Sequence, residues 1–216
     1  MKKIYLHPLP LRIWHWTNAL GCVLLALTGI QIRYVGLINV MSFKSAVELH
    51  SIIGFIVAGN FFLWLFFHLF TDQGRNYFAE LNPVKLFDGC WKQLVYYSSG
   101  IFTGAPSPFH YDLKKHIKFN PLQGLTYQMV MLVQLPLQIA TGILLWDLSG
   151  FAPIVRFLGG VRVVDTIHVV IFIIFVLYIP LHAYLAMLGR TTSEHYKAMV
   201  TGYEEVDEEE GADKTG

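Results

Sequence analysis

Five of the nine histidines, His15, His50, His68, His168 and His182, stand in long stretches free of Asp, Glu, Lys and Arg. An ionisable side chain in apolar surroundings is costly and by default points to function. A lone one can instead hydrogen-bond across helices, so the argument rests on the set. His168 and His182 are 14 residues apart, which puts them on one face of a helix and about 21 Å apart along it. Zinc and copper sites gather three or four ligands, and neither H-E-x-x-H nor H-x-x-x-H occurs. Two imidazoles at each of two levels suit bis-histidine, low-spin haem. Such iron has both axial positions filled, so it passes electrons without binding substrate. The two cysteines, Cys22 and Cys90, form no C-x-x-C or C-x-x-C-H, which argues against iron–sulfur clusters, covalent haem and a disulfide framework.

The elements that must carry these histidines are membrane helices. Of the 216 residues 54% are hydrophobic and 14% charged, against about 25% charged in soluble domains. A disordered chain, a basic nucleic-acid binder and an ordinary cytosolic enzyme are thereby excluded. Uncharged runs of 20, 23, 28 and 24 residues lie between Arg12 and Arg33, Glu48 and Asp72, Lys118 and Asp147, and Asp165 and Arg190. Each meets the roughly 20 residues that a bilayer core requires. The expected fold is an all-α integral membrane four-helix bundle with spans at about 12–34, 47–71, 121–146 and 163–189. The run Gln93 to Tyr111, broken by Gly100, Gly104, Pro106 and Pro108, reads as a short interfacial helix and a loop. The first span is too long for a signal peptide and lacks a small-x-small cleavage site. Residues 1–203 are expected to form one domain, and the acidic stretch from 204 to 216 reads as a disordered, solvated tail.

Twelve Lys and Arg fall in the N-terminal segment, the 72–118 loop and the C-terminal tail; four, Arg33, Lys44, Arg156 and Arg162, fall in the other two loops. Both termini and the 72–118 loop are therefore expected in the cytoplasm. The first helix then runs outward and the second and fourth inward. His50 meets His168 near the outer face, and His15 meets His182 near the inner face, each pair drawn from two helices. Gly29, 14 residues after His15, and Gly54, one turn after His50, leave gaps for a flat macrocycle. His68 lies about 27 Å beyond His50, past the inner level; it replaces His15, touches a propionate or faces the interface. Arg33 and Arg162 outside, and Arg12 and Arg190 inside, are candidates for haem propionates, or ordinary flanking charges. His7, His110, His116 and His195 fall outside the spans, and Trp14, Trp16 and Trp146 fit an aromatic belt. Pro136 and Pro180 are expected to kink their helices. A weak repeat joins L-T-G-I-Q-I at 27–32 to A-T-G-I-L-L at 140–145, each followed by a helix with a histidine in its first turns.

The opening P-L-P-L-R-I-W-H-W-T-N resembles the first helix of the di-haem cytochrome b subunits of nickel–iron hydrogenases, membrane formate dehydrogenases and thiosulfate reductases. T-G-I-Q-I-R-Y at 28–34, the E-L-H opening of the second helix and the His168–His182 spacing resemble that family too, and the likeness runs to A-M-V-T-G-Y at 198–203. The resemblance implies two b haems, one on His50 and His168 and one on His15 and His182. It implies a membrane anchor for an oxidoreductase whose catalytic and iron–sulfur subunits face the periplasm. In relatives that work with formate dehydrogenases an Asn leads into the third helix near the quinone; here K-F-N-P-L-Q places Asn120 and Gln123 there. Pro121 and Leu122 stand where the family pattern has Ala-Gly.

The expected function is electron transfer between a periplasmic iron–sulfur or multihaem partner with its catalytic subunit and the quinone pool, in the bacterial inner membrane. The chain is then no enzyme on its own. Loops 33–48 and 147–165 would dock the partner, quinone would bind near His182, Asn120 and Gln123, and protons would arrive past Asp112, Lys114, Lys115 and His116. The competing reading is a haem-free transporter or structural anchor with interhelical histidines. A closer rival is a self-contained quinol-oxidising cytochrome with diffusible partners.

Overall fold

The structure is a computed structural model, and it describes residues 2–36, 39–71, 80, 82–109, 119–188 and 191–206. The order of elements is β1 (Lys2–Tyr5), α1 (Leu9–Arg33), α2 (Phe43–Phe70), α3 (Pro83–Ser98), α4 (Pro121–Trp146), α5 (Ala152–Phe157), α6 (Val161–Leu185), α7 (Glu194–Thr201) and β2 (Tyr203–Val206). Helices α1, α2, α4 and α6 are long and apolar enough to cross a membrane. Their large apolar side chains face outward, among them Leu20, Phe62, Leu63 and Leu177, while Thr28, Gln31 and Thr141 are buried. That distribution suits lipid, which solvates leucine as well as a protein core does and leaves polar groups to be satisfied inside.

Local chemistry sets the helix limits. Helix α1 starts straight after Pro8, with Pro10 in its first turn, where a missing N–H costs nothing. Helix α2 starts at Phe43 because the Ser42 hydroxyl accepts from the Ser45 N–H, and Lys44 pairs with Glu48 one turn on. Pro136 cannot donate to the Leu132 carbonyl and its ring presses toward it. The turn before it, Val130–Gln134, is accordingly wound as π-helix. Pro180 lies inside α6.

One compact unit comprises residues 7–65 and 134–186. Within it, Trp14 and Asn60 clasp α1 to α2: Trp14 Nε1 donates to the Asn60 carbonyl at 3.1 Å and Asn60 Nδ2 to the Trp14 carbonyl at 3.0 Å. Two turns on, Gly21 lets the helices close up, for a Cβ there would stand 2.5 Å from a Val57 methyl. Trp146 packs edge-on against Phe55, and Arg33 pairs with Asp165 at 3.2 Å. The turn between α5 and α6 depends on Gly159 and Gly160, at φ +98° and +97°.

The other unit comprises residues 1–6, 66–133 and 187–216. Strands β1 and β2 pair antiparallel, Ile4 opposite Glu204, and the Tyr5 and Tyr203 rings meet at 5.1 Å. Residues 204–206, expected to begin a solvated tail, thus belong to a strand, because the backbone of Lys2–Tyr5 offers them a pairing edge; residues 207–216 lie outside the described part. The helix expected within Gln93–Tyr111 starts earlier, at Pro83, where Asn82 Oδ1 accepts from the Val84 and Lys85 N–H groups. Lys85, Asp88 and Lys92 kept those turns out of the uncharged run. Beside that charged face of α3, Val84, Phe87, Trp91, Leu94 and Val95 form an exposed apolar stripe. Gly89 lies against Pro121, where a Cβ would stand 2.7 Å from the proline ring.

Candidate haem-binding histidine pairs

Within the first unit the four deep histidines meet in twos. The ring centres of His50 (α2) and His168 (α6) are 6.4 Å apart, and those of His15 (α1) and His182 (α6) are 6.2 Å apart. With metal–nitrogen bonds of about 2 Å and ring radii of about 1.1 Å, imidazoles on opposite sides of one metal have centres about 6 Å apart. The separation in each pair would accommodate one metal held between the two imidazoles. Among the described residues no three or more His, Cys, Asp or Glu gather to hold a metal ion. The pairs fit a metal whose remaining ligands come from a macrocycle.

The first pair is held in a repeated setting. Thr28 Oγ1 lies 2.9 Å from His50 Nδ1, and Thr141 Oγ1 lies 3.0 Å from His168 Nδ1. The glycine after each threonine lets the imidazole come close: a Cβ on Gly29 would be 3.5 Å from His50 Cε1, and one on Gly142 3.3 Å from His168 Cε1. At Gly54 an added Cβ would enter open space. The second pair is framed by aromatic rings, Tyr178 stacked on His182 at 5.6 Å and Trp16 edge-on to His15 at 5.3 Å. His15 Nδ1 is buried without a hydrogen-bond partner.

The other candidates are placed as follows. His68, in the second unit, meets the Tyr127 hydroxyl through Nε2 at 3.1 Å, a bond between α2 and α4. Asn120 and Gln123 form a capping box at the start of α4. Asn120 Oδ1 accepts from the Gln123 N–H at 2.8 Å, and Gln123 Oε1 from the Asn120 N–H at 3.2 Å. Asn120 Nδ2 also donates to the Tyr97 hydroxyl at 3.1 Å; Asn120 is buried and Gln123 exposed. Among the arginines, Arg33 is engaged with Asp165, Arg12 is half-buried in the first turn of α1 and Arg162 is exposed in the first turn of α6. Arg190, His110, Asp112, Lys114, Lys115 and His116 lie outside the described residues. Sequence reasoning missed the threonines; the signal was present in the T-G-I repeat.

Residues 6–202 match the family model described as prokaryotic cytochrome b561. The chain is 33% identical over 204 residues to a protein of Escherichia coli (strain K12) named as a cytochrome, YdhU. That alignment covers 94% of this chain and 75% of the other. It is 23% identical over 228 residues to a Cupriavidus necator protein named as a Ni/Fe-hydrogenase B-type cytochrome subunit, covering 94% of this chain and 87% of that one. No solved structure matches.

Proposed function

The chain belongs to the prokaryotic cytochrome b561 family and is a membrane b-type cytochrome that transfers electrons, and from that premise we propose that it carries two haems. His50 and His168 hold one, and His15 and His182 the other. The observation that carries this is the recurrence of one geometry: two pairs, each from two different helices, with ring centres 6.4 and 6.2 Å apart. When bound, haem iron gains and loses one electron at a time. His168 and His182, 14 residues apart on α6, set the sites about 21 Å apart along the helix, so the chain makes a wire across the membrane rather than a single relay.

The excess of Lys and Arg in the terminal segments and the 72–118 loop supports cytoplasmic termini. The His50/His168 site then lies toward the periplasm and receives electrons from, or gives them to, a hydrogenase-, formate dehydrogenase- or reductase-type partner. The name of the Cupriavidus relative supports the first of these classes. Ile154, Phe157 and Leu158 between α4 and α6 are exposed, the composition that a docking surface uses at its centre. Quinone is the proposed membrane-soluble partner. Gln123 supports it, because capping uses its Oε1 while its exposed amide Nε2 remains available to donate to a quinone carbonyl. Asn120, committed to the cap and to Tyr97, shapes the segment. Arg33 is a propionate candidate that its present partner restrains weakly, since an exposed ion pair contributes only about 0–1 kcal/mol.

Pyridine haemochrome and reduced-minus-oxidised spectra of the purified chain test the reading. Two b haems per chain are expected. H50A and H168A should each remove the same haem, and H15A and H182A the other. One haem in the parent chain, or four variants that lose pigment without pairing, would refute it.

A further inference from the structure

We propose that Thr28 and Thr141 are positioning residues that fix the tautomer of His50 and His168, holding each Nδ1 as N–H and leaving each Nε2 with its lone pair for iron. This rests on the ligand reading above and adds residues outside it.

A hydroxyl has one proton to give. Thr28 Oγ1 lies 2.8 Å from the Leu24 carbonyl one turn back, and Thr141 Oγ1 lies 2.7 Å from that of Leu137. A carbonyl oxygen can only accept, so each threonine gives its proton to its own helix. Toward the imidazole 2.9 or 3.0 Å away it then offers a lone pair, and the ring nitrogen facing it must be N–H. In a neutral imidazole the other nitrogen is then the bare one. Both threonines are buried, at 5% and 6% exposure, so water does not compete for these bonds.

A second contact agrees at His168. Gln138 Nε2 lies 3.2 Å from His168 Nε2. An amide nitrogen only donates, so that ring nitrogen carries the lone pair, which is the tautomer the Thr141 bond requires; iron on Nε2 would take the place of this amide contact. The arrangement occurs twice, from the two copies of T-G-I, and each time the following glycine gives the ring room to approach. A hairpin carrying one threonine, one glycine and one facing histidine accounts for both halves. His15 Nδ1 is buried without a partner, so the device belongs to one site.

An acceptor on Nδ1–H makes a ligating imidazole more electron-rich and favours ferric over ferrous iron. The test is a spectroscopic redox titration of the membrane-extracted holoprotein carrying T28V or T141V, with T28S and T141S as conservative controls. The expected result is a raised midpoint potential for the haem that H50A removes, an unmoved potential for the other, and return toward the parent value in the serine variants. Loss of that one haem in the valine variants with recovery in the serine variants supports the proposal equally. Unchanged potentials with both haems bound, equal shifts at both, or serine variants that behave as the valine ones overturn it. Failure of the ligand reading is separate: H50A and H168A would then leave both haems in place.

Discussion

The clasp between Trp14 and Asn60 should set the affinity of one haem and spare the other. It joins α1 to α2 one residue before His15, through two bonds of 3.1 and 3.0 Å. Asn60→Leu removes one, and the Trp14 carbonyl keeps a second donor, Asn18 Nδ2 at 3.0 Å. Trp14→Phe removes the other and retains a ring against Trp64, 6.5 Å away in the parent. Neither change strands a buried acceptor, so each costs the net worth of one interhelical bond, about 1 kcal/mol in a membrane. If that loss falls on the form with His15 in line with His182, haem binding weakens about 5-fold per variant and roughly 30-fold for both. In an H50A background only the proposed His15/His182 haem should remain, and its loss to an excess of haem acceptor can be followed by absorbance. The same variants in an H15A background report on the His50/His168 haem. Equal weakening of both haems would refute the reasoning, because the clasp would then support the fold at large.

Three other outcomes follow from the packing and the charges. Gly21→Ala pushes a Cβ to 2.5 Å from Val57 and should cost about 1–3 kcal/mol of thermal stability in detergent; V57A made with it should recover part of that loss, whereas strict additivity would place the strain elsewhere. Gly89→Leu should detach α3 from Pro121, which would stand 2.7 Å from a Cβ there, and expose α3 to limited proteolysis while both haems stay bound. His195 Nδ1 is 3.5 Å from the buried Glu204 carboxylate, and that hydrogen bond raises its pKa above 6.5, with burial opposing and the charges of Glu204 and Glu194 assisting. A folded-state pKa above the unfolded one means stability that is complete below pH 6.5 and fades as pH rises through the raised value. Protection of the β2 amides, taken relative to their intrinsic base-catalysed exchange rates, should therefore fall on the alkaline side, and E204Q should flatten that dependence.

The spans and histidine pairs were legible because both depend on numbers the chain carries along itself: runs without charge, 3.6 residues per turn and 1.5 Å per residue. His50 and His168, or His15 and His182, need only matching depth on facing helices to meet. The threonines were not legible in that way. Thr28 reaches His50 only because α1 is rotated to face α2, and sequence periodicity does not fix the rotation of one membrane helix against another when every face is apolar. Trp14 misled for the same reason: at a membrane boundary a tryptophan suits an aromatic belt, and its partner Asn60 is 46 residues away. His68 was left between three roles, and its bond to Tyr127 depends on a contact between α2 and α4 that spacing within α2 cannot reveal. The start of β2 was missed because a carboxylate run reads as solvated unless a partner is known, and here Glu204 has His195.

Pro121, where the resembled family has a small residue, is accommodated by a distant residue. A proline at the first helical position after Asn120 gives up an N–H that has no helical partner there. Its ring needs space that a small residue would not, and Gly89 on α3 provides it. With glycine at position 89 the proline ring fits against α3, and the two helices stay in contact. The capping box forms regardless, because it uses the backbone of residues 120 and 123 and their side chains, none of which the proline alters. What changes is the surface presented beside Gln123: a stiffer, bulkier turn with a fixed φ. A P121A/L122G variant should therefore leave the cap and both haems intact and alter only the apparent affinity for quinone, measured as the concentration dependence of haem oxidation by added quinone analogues. Unchanged quinone dependence in that variant, with Q123A also silent, would remove this end of α4 from the quinone site.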